Sequence, residues 1–261
     1  MKSKNLILWD LDSTLINTNE VFEMAQKKLI TSLSKELKGL GIEINDNDME
    51  EMDLLRKMDY EGIKIRKHAG YDFPYQLPLS LIGSYLERSD LDKNYRIAWL
   101  SNKGVEIAER EGKNYVKDLE RIPRKFENIE DVLLSSNDNY NVLFTEYFED
   151  VKKQKMKVTS NGLEKYFDKI IMTERKDAIS IASAIECAKL ENGINNLEEL
   201  TIIYIDDRSK YLEIAKKVFP SCYTVNVLFE EKEIFMENFG SVDYVARNVN
   251  ELKNFIQTIK K

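Results

Sequence analysis

Asn5-Leu6-Ile7-Leu8-Trp9 is a short apolar run without alternation, and it breaks at once into Asp10-Leu11-Asp12-Ser13-Thr14. A run apolar on both faces predicts a buried strand of a parallel sheet. From about residue 17 to 122 the pattern becomes helical. Residues 20–38, 46–58 and 80–88 carry apolar positions three and four apart, punctuated by Gly39, Gly41, Gly70, Pro74 and Pro78. Beyond Pro123 short apolar runs alternate with helical stretches. Strands are predicted over 141–145, 169–172, 200–205, 222–227 and 244–246. Helices are predicted from the charged stretch that ends near Lys157, and over 177–190, 211–218 and 249–259. Strands alternating with helices imply right-handed crossovers. The expected fold is therefore an α/β, doubly wound, Rossmann-like parallel sheet, built from residues 1–16 and 122–261, with a mostly helical insert over 17–121. No internal repeat or low-complexity segment interrupts this plan.

Composition narrows the classes. Of 261 residues, 43% are hydrophobic, enough for a core, and 33% are charged, as in a soluble protein. A net charge of −7 argues against nucleic-acid or anionic-membrane partners. It also means that an anionic substrate needs a metal ion or local cations to reverse the field. No apolar stretch approaches a membrane span. The basic start Met1-Lys2-Ser3-Lys4 leads into an apolar run that stops at Asp10, so no targeting segment is read and a cytoplasmic protein is expected. Two cysteines, Cys187 and Cys222, make neither a disulfide framework nor a zinc site; both are expected to be buried thiols. The single histidine, His68, follows Lys64-Ile65-Arg66-Lys67, the pattern of a solvated helix face, and excludes a His-rich metal cluster. Oligomeric state has no signature here.

The informative residues are acidic. Asp10 and Asp12 end one predicted strand, and Asp206 and Asp207 end another. Ligands of parallel sheets sit beyond the carboxyl ends of the strands. Carboxylates gathered there repel and raise one another's pKa unless compensated. A divalent cation is the natural compensation, and magnesium takes oxygen ligands: one or two carboxylates, water and phosphate.

With these residues in view, Leu8-Trp9-Asp10-Leu11-Asp12-Ser13-Thr14-Leu15 resembles the first signature of the haloacid dehalogenase superfamily, and Tyr204-Ile205-Asp206-Asp207 resembles its fourth. Thr145, ending an apolar run, fits the second signature, and Lys176, before a helix, fits the third. Asn161-Gly162-Leu163-Glu164-Lys165-Tyr166-Phe167-Asp168 and Asp243-Tyr244-Val245-Ala246 resemble the family too. The likeness covers roughly residues 4–16 and 122–261. Asp177 stands where the family often has Pro, and Glu146-Tyr147 where it often has Asn-Gly. Ile97-Ala98-Trp99-Leu100-Ser101-Asn102-Lys103-Gly104 also looks like a second signature; Thr145 is preferred to Ser101 because Gly162 to Asp168 and then Lys176 follow it at family-like distances.

The resemblance implies a magnesium-dependent phosphatase acting on a small phosphorylated metabolite. Asp10 would be the nucleophile, forming an aspartyl-phosphate, and Asp12 the general acid and base. Thr145 would bind a phosphoryl oxygen and Lys176 would neutralise charge, with backbone N–H groups near Leu11 completing the cradle. The metal would be held by Asp10, the Asp12 carbonyl, Asp207 and Asp206, the last as a second ligand or an outer acceptor. The dehalogenases of the family lack the second aspartate, so Asp12 argues for phosphorus chemistry. A phosphomutase with the same nucleophile and a non-catalytic binding or regulatory protein are the alternatives. The insert resembles the family's helical cap, with hinges at Asn17-Thr18-Asn19 and around Arg121 to Pro123. Arg66, Tyr71, Phe73 and Tyr75 are candidates for its lining.

Overall fold

The apolar runs become six parallel strands: β1 (Asn5–Trp9), β2 (Tyr140–Glu146), β3 (Lys169–Thr173), β4 (Thr201–Asp206), β5 (Tyr223–Val227) and β6 (Tyr244–Ala246), in the sheet order β3-β2-β1-β4-β5-β6. The structure is a computed structural model and describes residues 5–45, 49–66, 75–147, 150–191, 193, 200–229 and 242–259. β1 is central. It pairs with β2 from Leu6–Tyr140 to Trp9–Leu143, and with β4 from Asn5–Thr201 to Trp9–Ile205. A strand with neighbours on both edges and cover on both faces is buried all round, which is why its sequence does not alternate. The winding reverses between β1 and β4. The crevice past their carboxyl ends is therefore the topological switch point, where ligands of such sheets bind.

The chain leaving β1 forms α1 (Thr18–Lys38), α2 (Met49–Arg66), α3 (Gln76–Glu87), α4 (Lys93–Trp99) and α5 (Val105–Leu119). A further α6 (Ile129–Ser135) precedes β2. After it come α7 (Val151–Ser160), α8 (Ala178–Glu191), α9 (Ser209–Val218) and α10 (Val249–Thr258). The chain divides into two compact units, residues 1–18 with 122–261, and residues 19–121.

In the first unit the strand period of two sorts side chains onto two cores. Ile7, Trp9, Leu143, Ile203, Ile205 and Val225 face α6 and α10. Leu6, Leu8, Val142, Phe144, Ile202 and Tyr204 face α8 and α9. Trp9 is fully buried, and its indole Nε1 donates to Asn141 Oδ1 at 2.9 Å. Asn141 in turn donates from Nδ2 to the Ser136 carbonyl at 3.0 Å. Asn141→Leu should therefore cost about 1–3 kcal/mol, because the indole N–H is left buried and unpaired; urea unfolding checks this, and an unchanged midpoint would refute it.

The second unit packs Leu29, Ile30, Leu33 and Leu37 of α1 against Leu81, Ile82, Tyr85 and Leu86 of α3 and Ile107, Ala108 and Tyr115 of α5. α3 begins earlier than its periodicity predicts. Pro78 sits in its first turn, where a missing N–H needs no partner. The run from Ile97 to Gly104, strand-like in sequence, is helical: α4 passes through a π-helical turn, Leu100–Gly104, into α5. A Cβ on Gly104 would lie 2.9 Å from Leu100 Cδ1, so a larger residue in this turn requires the Leu100 side chain to shift. α6, not anticipated from the sequence, is too short to show a helical period. Tyr75 is half-buried and packs on the helical core. His68, Gly70, Tyr71, Phe73, Pro74, the Arg66 side chain and residues 46–48 of the expected second helix lie outside the described residues.

One expectation about the thiols is corrected. Cys222 is buried, but Cys187 is only partly so. It lies on the side of α8 that meets Lys169, whose Nζ donates to Cys187 Sγ at 3.0 Å and also pairs with Glu191. No helix among the described residues is long and apolar enough to cross a membrane.

Candidate active site

Three short segments, joined by Lys176 from just before α8, meet at the carboxyl end of the sheet. The first follows β1. Asp10 N donates to Ile205 O at 2.9 Å, so strand pairing continues one residue past Trp9. The chain then folds back on the Leu11 carbonyl, which accepts from Leu15 N at 2.9 Å and Ile16 N at 3.1 Å. Ser13 takes φ 58° to make this turn, a left-handed conformation that costs an ordinary residue about 1–2 kcal/mol. The turn frees Asp10 and Asp12 from strand alternation and lets each find its own partners. Asn17 N then donates to Arg124 O at 2.7 Å, so the chain leaving β1 runs beside the chain returning toward β2.

Asp10 is 4% exposed, and one of its oxygens is held by Lys176 Nζ. Thr14 Oγ1 donates to the other at 3.3 Å. Lys176 is itself buried and also donates to Asp206 Oδ2 at 2.7 Å. It lies 5.3 Å from the Tyr211 ring centroid, 5.8 Å from that of Phe144 and 5.9 Å from that of Tyr204. Its place is set by the start of α8. There Ser180 N donates to Asp177 Oδ1 at 2.9 Å and Asp177 N donates to Ser180 Oγ at 2.8 Å. Asp177 thus starts the helix by capping.

Asp206 and Asp207 close the second segment, after β4. Asp206 accepts from Tyr204 OH at 2.9 Å and from Arg208 N at 2.9 Å, besides Lys176. Asn226 of β5 donates from Nδ2 to the Asp206 carbonyl at 3.1 Å and the Asp207 carbonyl at 2.8 Å, fixing the backbone of the pair. Carboxylate oxygens of Asp10, Asp206 and Asp207 all lie within 4.8 Å of one another.

The third segment is the end of β2 with α7. The Asp12 carboxylate turns toward it. Lys157 Nζ donates to Asp12 Oδ1 at 2.7 Å, Thr18 Oγ1 to the same oxygen at 2.8 Å, and Gln154 Nε2 to Oδ2 at 2.6 Å. Thr145 is fully buried at the end of β2, and its Oγ1 accepts from Gln154 Nε2 at 2.7 Å. Ser101, the competing residue, lies in the second unit in the π-helical turn, its Oγ spent on the Ile97 carbonyl at 2.8 Å.

The electrostatics separate the acids. Burial pushes the Asp10 carboxyl up to about 7; the charge of Lys176 opposes this, and Asp206 and Asp12 add to it. Asp207 is pushed well above the carboxylate range by burial and by Asp206, with Arg208 opposing. Burial also lifts Asp12, but Lys157 and the hydrogen bonds from Gln154, Lys157 and Thr18 outweigh it and hold the group below its usual value. Burial would lower Lys176, yet Asp10 and Asp206 keep it above the usual lysine range and charged. Four acids thus face two ammonium groups, Lys176 and Lys157, with Arg208 exposed at the rim. Two carboxyls raised by burial and by neighbouring acids mark a site short of positive charge. The donors are hard oxygens, and among the described residues no His or Cys joins the cluster, which fits magnesium.

Gln154, Lys157, Tyr204, Tyr211 and Asn226 were not singled out from the sequence. Gln154 and Lys157 had a faint signal: polar residues spaced by three on a helix that packs on a sheet. No protein-family model matches the chain, and no curated protein matches its sequence. Solved structures do resemble it. A haloacid dehalogenase-like family hydrolase from Xanthomonas campestris aligns over 98% of this chain and 91% of its own, at 15% identity and TM-score 0.54. A putative beta-phosphoglucomutase from Thermotoga maritima aligns over 99% and 100%, at 14% identity and TM-score 0.55. The putative HAD-hydrolase YfnB from Bacillus subtilis, bound to magnesium, aligns over 98% and 99%, at 12% identity and TM-score 0.55. At these identities the likeness shows a shared fold.

Proposed function

We propose that this chain, which has the haloacid dehalogenase-like fold, is a magnesium-dependent phosphatase of that superfamily acting on a small phosphorylated metabolite. One observation carries the reading: Asp10, Asp206 and Asp207 gather around the buried Lys176 at the switch point of the sheet. The proposed metal ligands are Asp10, Asp207 and the Asp12 carbonyl. Asp206, with both carboxylate oxygens already accepting hydrogen bonds, is the outer acceptor. Magnesium, when bound, offsets charge on the carboxylates and on the phosphoryl oxygens.

In the first step Asp10 attacks phosphorus, the bond to the leaving oxygen breaks, and an aspartyl-phosphate forms. Asp12 supplies a proton where the leaving oxygen needs one. In the second step Asp12 takes a proton from water, the water oxygen attacks phosphorus, and inorganic phosphate leaves with Asp10 regenerated. Asp12 as found, ionised and held by Lys157, is in the form the second step requires. Lys176 and Thr145 hold phosphoryl oxygens, the positioning on which phosphoryl transfer mostly depends. The helical second unit serves as a cap that selects the substrate. Two free thiols suit a reducing cytoplasm. A dehalogenase reading is disfavoured by Asp12. A mutase would return the phosphoryl group to a sugar and release little inorganic phosphate.

The test is release of inorganic phosphate from p-nitrophenyl phosphate and from a panel of phosphorylated metabolites, with magnesium and with EDTA. Turnover with the metal and none without it is expected; equal rates in EDTA would refute the metal role. Magnesium binding should also release protons, because Asp10, pushed up to about 7, and Asp207, raised well above the carboxylate range by burial, must ionise to ligate. Affinity should therefore rise with pH through neutrality, by up to about tenfold per pH unit for each proton released. Calorimetry in two buffers of different ionisation enthalpy reads that proton count, and a pH-independent affinity would contradict it.

A further inference from the structure

α7 buries Val158 in the core, yet beside it on the same side it carries polar groups. Asp150 caps its first turn, accepting from Lys152 N at 2.8 Å. One turn later Gln154 is 4% exposed, and Lys157 and Asn161 follow on the same face. Asn161 ties the helix end to the chain returning toward β2, accepting from Lys125 N at 2.8 Å and donating to the Pro123 carbonyl at 2.9 Å. A helix packed on a sheet normally buries apolar residues there, and an amide in such a place is tolerated only when its hydrogen bonds are made. Gln154 makes them to two residues of the proposed site at once, Asp12 and Thr145.

Resting on the phosphatase reading, we infer that Gln154 and Lys157 are positioning residues for that reaction. The Gln154 amide locks Asp12 and Thr145 into one relation, and the Lys157 ammonium aims Asp12 at the water of the second step. The chemistry of the donors supports this division. An NH2 group carries two protons on one atom, so a single nitrogen bridges the two acceptors. Thr145 Oγ1, already accepting from Gln154, has one proton to place. Its contact to the Glu146 carbonyl is 3.4 Å, long for a hydroxyl donor, so that proton is available to a phosphoryl oxygen. Asp12 receives Lys157 and Thr18 on one oxygen and Gln154 on the other, which leaves its carboxylate little freedom to rotate. Neither Gln154 nor Lys157 touches phosphorus in this scheme; they act through Asp12 and Thr145.

The test is rapid-mixing kinetics on p-nitrophenyl phosphate with magnesium, comparing wild type, Gln154→Leu, Lys157→Met and Lys157→Arg. The nitrophenolate leaves without a proton, so the first step is spared and the second slows. Steady-state kcat should fall about ten- to a hundredfold, at or below the low end of a full general-base effect because the base itself remains, and KM should fall with it. A burst of nitrophenol approaching one equivalent per enzyme should appear, with an aspartyl-phosphate trapped in acid. Lys157→Arg, which keeps N–H donors on Asp12, should recover most of kcat. In an Asp12→Asn background Lys157→Met should have no further effect, whereas a merely structural residue would stay additive. If Gln154→Leu does not fold, the Lys157 pair, on a partly exposed side chain, still decides. An inactive wild type would overturn the phosphatase reading together with this inference. An active wild type whose folded variants keep kcat, or lose it without a burst, would overturn this inference alone.

Discussion

Asp10→Asn should abolish the proposed turnover of p-nitrophenyl phosphate, with an expected loss of at least about a thousandfold, while the protein keeps its fold. The amide is isosteric with the carboxylate, so the core around Trp9 and Leu11 is undisturbed, and its oxygen still accepts from Lys176. What disappears is the anionic oxygen proposed to attack phosphorus, and removing a nucleophile forfeits the covalent route as a whole. Magnesium affinity falls as well, since one of three clustered carboxylates is gone. The discriminating measurement is the phosphoenzyme. Wild type denatured in acid during turnover should carry a hydroxylamine-sensitive acyl-phosphate, and the variant none. Full activity in Asp10→Asn would show that another group attacks.

Lys176→Met has the next largest effect, and its pH dependence identifies the cause. Methionine fills much of the lysine's volume among Phe144, Tyr204 and Tyr211 but donates no hydrogen bond. Asp10 and Asp206 then lose their shared counter-ion in a site where both are buried. Breaking a buried pair by removing one partner costs about 3–5 kcal/mol when the remaining charge cannot neutralise. Here it can, by taking a proton, and the sign follows from linkage. Asp10 already stands at about 7 in the folded protein, above its unfolded value of 3.8, and losing Lys176 raises it further. A carboxyl raised in the folded state imposes no penalty below its unfolded pKa; the penalty grows as pH climbs toward the folded one. Metal-free Lys176→Met should therefore melt close to wild type from pH 4 to about 6, where Asp10 is protonated in both proteins, and fall below it as pH rises past about 7, where only wild type ionises Asp10. Magnesium should restore part of the loss. Activity should drop by roughly a hundred- to a thousandfold, since a fixed donor to developing charge is lost. Thermal melts across this pH range with EDTA decide the stability claim, and a pH-independent deficit would mean that lost packing, not charge, is responsible.

Much of the α/β core is legible from local pattern. β1 and β4 are dense apolar runs because both are interior strands of the sheet, and each ends in acids because the crevice begins there. The alternation of strands with helices after Pro123 predicts the doubly wound sheet that the chain adopts. Asp10, Asp12, Asp206 and Asp207 stand out in sequence because each pair lies within three residues of chain, where charge against an apolar run is visible. Thr145 and Lys176 have no such contrast, and only resemblance singled them out. Their places beside Gln154 and beside Asp10 and Asp206 are features of the folded chain.

The tertiary structure alone decided the rest. The apolar run around Ser101 has the look of a strand, and it is helical because Trp99 and Leu100 pack against a core made by other helices. Gln154 and Lys157 reach Asp12 across 142 and 145 positions of sequence, and Asn226 holds the backbone of an acidic pair on a neighbouring strand. Periodicity reports which face of an element is buried, since that depends on neighbours three or four residues away. It carries no record of which distant element lies opposite, because strand order, register and helix rotation are set by the packing of the whole core.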